Sequence, residues 1–117
     1  MQLQGKRTFQ ASPADIYKIL MNTEALARIT PGVSRLVEKE PDHFEAIADV
    51  KIGPVKGSFS GDLRIKDKVP DESFQLNVKQ KSKIGNVDAK VDIQLTEETP
   101  GATLLTFDGK THMSGLL

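Results

Sequence analysis

An α+β domain, built on a curved antiparallel sheet of about seven strands with two short helices after the first strand, is the fold class that this sequence predicts. Three observations carry it. Apolar residues alternate with period two over most of the chain. One capped segment near the amino terminus replaces that alternation with helical spacing. Clusters of Pro, Gly, Asp and Asn punctuate the alternating runs. The 117 residues make a single domain, 1–117, because domains cluster at roughly 100–150 residues.

The first strand spans about residues 2–10, with Leu3, Gly5, Arg7 and Phe9 in one phase and Gln2, Gln4, Lys6 and Thr8 in the other. Ser12-Pro13-Ala14-Asp15 then starts a helix. Serine caps the free amides, proline suits the first helical position, and an acid stands three residues after the cap. Ile16, Ile19 and Leu20 recur at helical spacing, and after Asn22-Thr23 a second short helix carries Leu26 and Ile29. Thr30-Pro31-Gly32 ends it, since proline disfavours helical geometry in the residue before it and glycine accepts positive φ.

Six strands follow, at about 33–39, 43–52, 55–68, 73–82, 87–97 and 102–113. The breaks between the later ones are Glu40-Pro41-Asp42, Gly53-Pro54, Pro70-Asp71, Gly85-Asn86 as a tight hairpin turn, and Thr99-Pro100-Gly101. Each run has one apolar phase. In the third of the seven strands it is Phe44, Ala46, Ala48, Val50 and Ile52; in the fourth it is Val55, Gly57, Phe59, Gly61, Leu63 and Ile65. Gly57 and Gly61 beside Phe59 mark a bend or the close approach of another element. Two short helices cannot cover so long a sheet, and a long helix across the concave face would complete the core. The sequence stops at Gly115-Leu116-Leu117, where that carboxy-terminal helix would begin, so the helix is expected to be absent or truncated.

Composition narrows the function. Sixteen Lys and Arg balance sixteen Asp and Glu, so the chain lacks the basic excess that drives nucleic-acid binding. The absence of cysteine excludes disulfides, thiolate metal sites, iron–sulfur clusters and a cysteine nucleophile, and it fits a reducing compartment. Neither an apolar leader nor a run of roughly 18 apolar residues is present, so a soluble cytoplasmic chain is expected.

Catalytic groups are sparse. His43 beside the Pro41-Asp42 turn reads as solvated, whereas Asp108 and His112 share a strand face, so that Asp108 could orient His112. Two histidines so far apart, without supporting carboxylates, fall short of a metal site. Gly53-Pro54-Val55-Lys56-Gly57 lacks the Gly-Lys-Ser/Thr ending of a phosphate loop and reads as a turn. Lys79, Lys81 and Lys83 form a solvated row of the kind that discourages unwanted strand pairing, or a docking patch for acidic groups. No motif calls for a cofactor. The strongest signal is collective: Leu26, Ile29, Val55, Phe59, Leu63, Phe74, Leu76, Val78, Val91 and Phe107 would either line an apolar cavity over the concave face, sized for a small lipophile, or simply pack against a covering helix, and periodicity does not separate the two.

Three stretches carry a family resemblance: Ala11-Ser12-Pro13-Ala14-Asp15-Ile16-Tyr17, Ile29-Thr30-Pro31-Gly32-Val33, and Val50-Lys51-Ile52-Gly53-Pro54-Val55-Lys56-Gly57-Ser58-Phe59-Ser60-Gly61. With Thr103-Leu104-Leu105-Thr106, they make the chain resemble the CoxG family, the G-subunit family of carbon monoxide dehydrogenase, over essentially its whole length. That family belongs to the START-like, helix-grip superfamily of polyketide cyclases, lipid-transfer domains and pathogenesis-related allergens. The chain departs from it in lacking the family's cysteine before Ile-Pro-Gly and in reducing a glycine-rich stretch to Lys83-Ile84-Gly85-Asn86. The resemblance implies a helix-grip fold that binds a small lipid- or quinone-like molecule without transforming it. It also implies a molybdenum hydroxylase of the carbon monoxide dehydrogenase type as partner, with membrane recruitment or quinone handling as the task. The alternatives are a polyketide cyclase- or hydrolase-like enzyme using His112 and Asp108, and an oligomeric interaction module whose exposed sheet face pairs with a partner or with itself; the chain is expected to be a monomer or a homodimer.

Overall fold

The computed structural model of the chain describes residues 2–29, 33–52, 54–82 and 85–114. Strand β1 (Gln2–Phe9) leads into helices α1 (Pro13–Leu20) and α2 (Thr23–Ile29). Strands β2 (Arg35–Glu40), β3 (His43–Ile52), β4 (Val55–Val69), β5 (Ser73–Ser82), β6 (Gly85–Thr99) and β7 (Ala102–Ser114) follow. They form one antiparallel sheet in the order β1-β7-β6-β5-β4-β3-β2. From β2 onward each strand pairs with the next through a hairpin, the least costly connection between antiparallel strands. β1 sits at the opposite edge from β2, so the helical pair crosses the width of the sheet.

Local chemistry sets the elements. The Ser12 hydroxyl accepts a hydrogen bond from the Asp15 amide at 3.2 Å with Pro13 in the first turn, as the capping pattern requires. The Asn22 side chain does the same for α2, accepting from the amides of Glu24 at 2.9 Å and Ala25 at 3.3 Å. At the turns, Asp42 (φ 62°), Asp71 (φ 66°) and Gly101 (φ 82°) take the left-handed conformation that short polar side chains and glycine tolerate best. Asp67 (φ 53°) does so where the β4–β5 register shifts between Lys66 and Val69.

The structure corrects two details. Ile19 is 57% exposed rather than inward, and α1 buries Ile16, Tyr17 and Leu20. Gly85 and Asn86 are strand residues paired with Ser82 and Lys81 rather than the turn itself, and residues 83–84 lie outside the described residues. Gly61 does meet a close approach, but by its neighbour in the sheet. A Cβ built there would collide with the Lys79 carbonyl oxygen, so glycine lets the β5 backbone come this close to β4. The backbone pairing continues through Gly61 and Gly109 without a shift, and the apolar phase read from the sequence is kept.

Among the described residues the helices cover one end of the sheet. β4 and β6 have 15 residues each, or about 50 Å at 3.4 Å per residue, whereas α1 has 8 residues and is about 12 Å long. The core lies at the end of the sheet where β2–β3, β4–β5 and β6–β7 turn. It comprises Ile16, Tyr17, Leu20 and Leu26 against Phe44, Ala46, Leu63, Ile65, Phe74, Leu76, Ile93 and Leu95. Tyr17 meets Phe74 edge to face at 5.9 Å, and the buried Thr103 hydroxyl donates to the Ala11 carbonyl at 2.6 Å, tying β7 to the chain entering α1.

Candidate functional site

Burial of the apolar side chains falls along β5, β6 and β7 with distance from the helices. On β5 it passes from Phe74 (2% exposed) and Leu76 (1%) to the half-buried Val78. On β6 it passes from Leu95 and Ile93 to the half-buried Val91, Ala89 and Val87. On β7 the buried Thr103 gives way to the half-buried Leu105 and then to Phe107, 37% exposed. Cross-strand partners share a face in an antiparallel pair, and the register Phe74↔Ile93, Leu76↔Val91, Ile93↔Phe107 and Leu95↔Leu105 places all of these on the helix-bearing side. Among the described residues this apolar surface therefore has a packed half and an open half.

Phe107 lies opposite Gly5 on β1, and its ring covers that glycine. A Cβ at Gly5 would collide with the ring's Cζ and Cε1, so the missing side chain is what makes room for the aromatic over the edge strand. Sequence reasoning missed this pair, because nothing local links a glycine in the first strand to a phenylalanine in the last.

The ten residues expected to line a cavity divide accordingly. Leu26, Leu63, Phe74 and Leu76 are buried in the packing between the helices and the sheet. Val78 and Val91 pack against that core and keep part of their surface, and Phe107 is the most open. Ile29 stands on α2 and Val55 and Phe59 on β4; their side chains lie outside the described residues, as does Lys83 of the lysine row.

The polar residues stand elsewhere. Asp108 and His112 are exposed on the opposite face of the sheet, and Asp108 accepts a hydrogen bond from Gln2 at 3.3 Å, while His112 lies opposite Asp88. The pair thus shares a face, but not the apolar one. His43, expected to be merely solvated, opens β3 and places Nε2 3.1 Å from Asp62 Oδ1 on β4, with its side chain 19% exposed. Lys79 and Lys81 are exposed on this same polar face. Among the described residues no group of three or more His, Asp or Glu could hold a metal ion. No helix among them is long and apolar enough to cross a membrane. A groove of about 350 Å³ between α2 and β2, bordered by Thr23, Arg28, Ser34 and Arg35, was not foreseen, because it exists only where helix and edge strand meet.

The family model for CoxG, the G-subunit of carbon monoxide dehydrogenase, matches residues 5–117. The chain belongs to the CoxG family. No curated protein matches it. Among solved structures, a conserved protein from Geobacillus kaustophilus superposes with a TM-score of 0.82 at 23% identity, covering 98% of this chain and 76% of the other. A START superfamily protein from Mycobacterium smegmatis gives 0.65 at 15% identity over 99% and 79% of the two chains. The Zhui aromatase/cyclase from Streptomyces sp. R1128 gives 0.67 at 11% over 100% and 70%. The superpositions show a shared fold, and this CoxG chain has the START-like, helix-grip architecture.

Proposed function

We propose that this chain binds a small hydrophobic molecule, lipid- or quinone-like, on the open half of its apolar sheet face, and carries it without transforming it. The gradient of burial is the observation that carries the reading. Val78, Val91, Leu105 and Phe107 continue the wall of a packed core into a region where no described helix covers them. Exposed apolar surface of this kind is costly in water and favours a lipophilic occupant. Residues 5–117 match the CoxG model, which supports a role beside a molybdenum hydroxylase of the carbon monoxide dehydrogenase type, in membrane recruitment or quinone handling. The site of action on this reading is the cytoplasm, with peripheral contact at the membrane.

Catalysis by Asp108 and His112 is the weaker reading. Both project from the polar face, so a substrate held on the apolar face would be separated from them by the sheet. The test is native mass spectrometry of gently purified protein, followed by organic extraction and mass identification of what is released. A stoichiometric lipophile is expected, and a quinone would tie the carrier to hydroxylase chemistry. A chain that is empty and takes up neither a short-chain quinone nor a fatty acid would refute the proposal.

A further inference from the structure

We propose that the polar face of the sheet is a docking surface for a second copy of the same chain, held by a self-complementary pattern of charge. Lys90 on β6 stands directly opposite Lys110 on β7, and one step along the same strands Asp92 stands directly opposite Asp108. All four are exposed. Like charges directly opposite across a ladder oppose folding, and here two such pairs lie side by side. Neither lysine makes an ion pair among the described residues, and the aspartates accept only amide donors, Asp92 from Gln75 at 2.8 Å and Asp108 from Gln2 at 3.3 Å. A hollow of about 250 Å³ lies among Gln75 and these four charges.

Symmetry decides which partner fits. In a face-to-face pair the two-fold axis lies in the plane between the sheets. An axis running across the strands, between the lysine row and the aspartate row, keeps each strand over its own copy and exchanges the rows. Lys110 then faces the partner subunit's Asp108, and Lys90 faces the partner subunit's Asp92. An axis running along the strands would set lysine against lysine. The flanking residues agree on one side, since Gln2 meets the partner's Gln4. On β4, Arg64 would face the partner's Lys66, which confines the contact to β5, β6, β7 and β1. Three strands at 4.8 Å over ten residues, with the first residues of β1, give on the order of 550 Å² per chain, in the range of weak, transient contacts and polar throughout. Such a dimer is weak, reversible and sensitive to salt, and it leaves the apolar face free for its ligand.

The experiment is sedimentation equilibrium of the full chain at about 20 mM and about 500 mM salt, where the screening length falls several-fold. The wild type is expected to dimerise at low salt and to weaken about tenfold or more at high salt. Lys90→Asp with Lys110→Asp, and separately Asp92→Lys with Asp108→Lys, should each give monomers. All four changes together reverse the pattern and should restore the dimer. Circular dichroism confirms folding; should a reversal unfold the chain, Lys90→Gln with Lys110→Gln replaces it and should still weaken the dimer. A wild type that stays monomeric at low salt, a dimer indifferent to these charges, or a folded fourfold variant that stays monomeric would overturn the proposal.

Discussion

Phe74 and Phe107 lie on the same face of the same sheet, yet replacing each with alanine should have different consequences. Phe74 is 2% exposed, meets Tyr17 edge to face and is enclosed by the core, so its loss removes apolar burial and leaves a cavity. Such truncations cost about 3–5 kcal/mol. Phe107 is 37% exposed, so only about two thirds of the roughly 1.5–3 kcal/mol for full burial of a phenylalanine is at stake. With open space beside it no closed cavity forms, and the expected cost is about 1–2 kcal/mol. Urea unfolding with a common slope measures both, and each kcal/mol corresponds to roughly 4–8 °C of melting temperature for a domain of about this size. Phe74→Ala should be severely destabilised. Phe107→Ala should stay folded but lose the lipophile that copurifies with the wild type. Equal destabilisation of the two variants, within about 0.5 kcal/mol, would refute the division into a packed and an open half.

Three further perturbations probe individual devices of the fold. Gly61→Ala should cost more than Gly5→Ala, by about 1–3 kcal/mol in chemical denaturation, because its new methyl meets the Lys79 carbonyl whereas that of Gly5 meets only the movable end of the Phe107 ring. Thr103→Val preserves shape but deprives the Ala11 carbonyl of its donor, and thermal melts should report a loss of about 1–3 kcal/mol. Gly101→Ala meets no atom within 4 Å, so any loss comes from its φ of 82°, about 1–2 kcal/mol, and Gly101→Asn should recover part of it.

The sequence was most legible where structure is local. The Ser12-Pro13 start of α1, the turns around Asp42, Asp71 and Gly101, and the apolar phases of β3 to β6 all follow from residues within a few positions of one another. Helix α1 shows where local reasoning ends. With eight residues, its periodicity allowed Ile19 as well as Tyr17 inward, and the aromatic contact with Phe74 decided between them. Pairings set by register were out of reach: His43 with Asp62, nineteen positions apart, and Phe107 over Gly5. Periodicity also could not divide the apolar face. Leu76 and Val78 read alike as strand residues, and only the placement of the helices buries one and leaves the other half open.

The central claim is that a lipophile occupies the open half of this face. Side-chain methyl and backbone NMR spectra of the full chain, recorded as a short-chain quinone or a fatty acid is added, test it most directly. Saturable shifts are expected at Val78, Ala89, Val91, Leu105 and Phe107, with little change at Leu63, Leu76 or Leu26 and none at Asp108 or His112. Shifts centred on Asp108 and His112, or no saturable shift with either ligand, would contradict it.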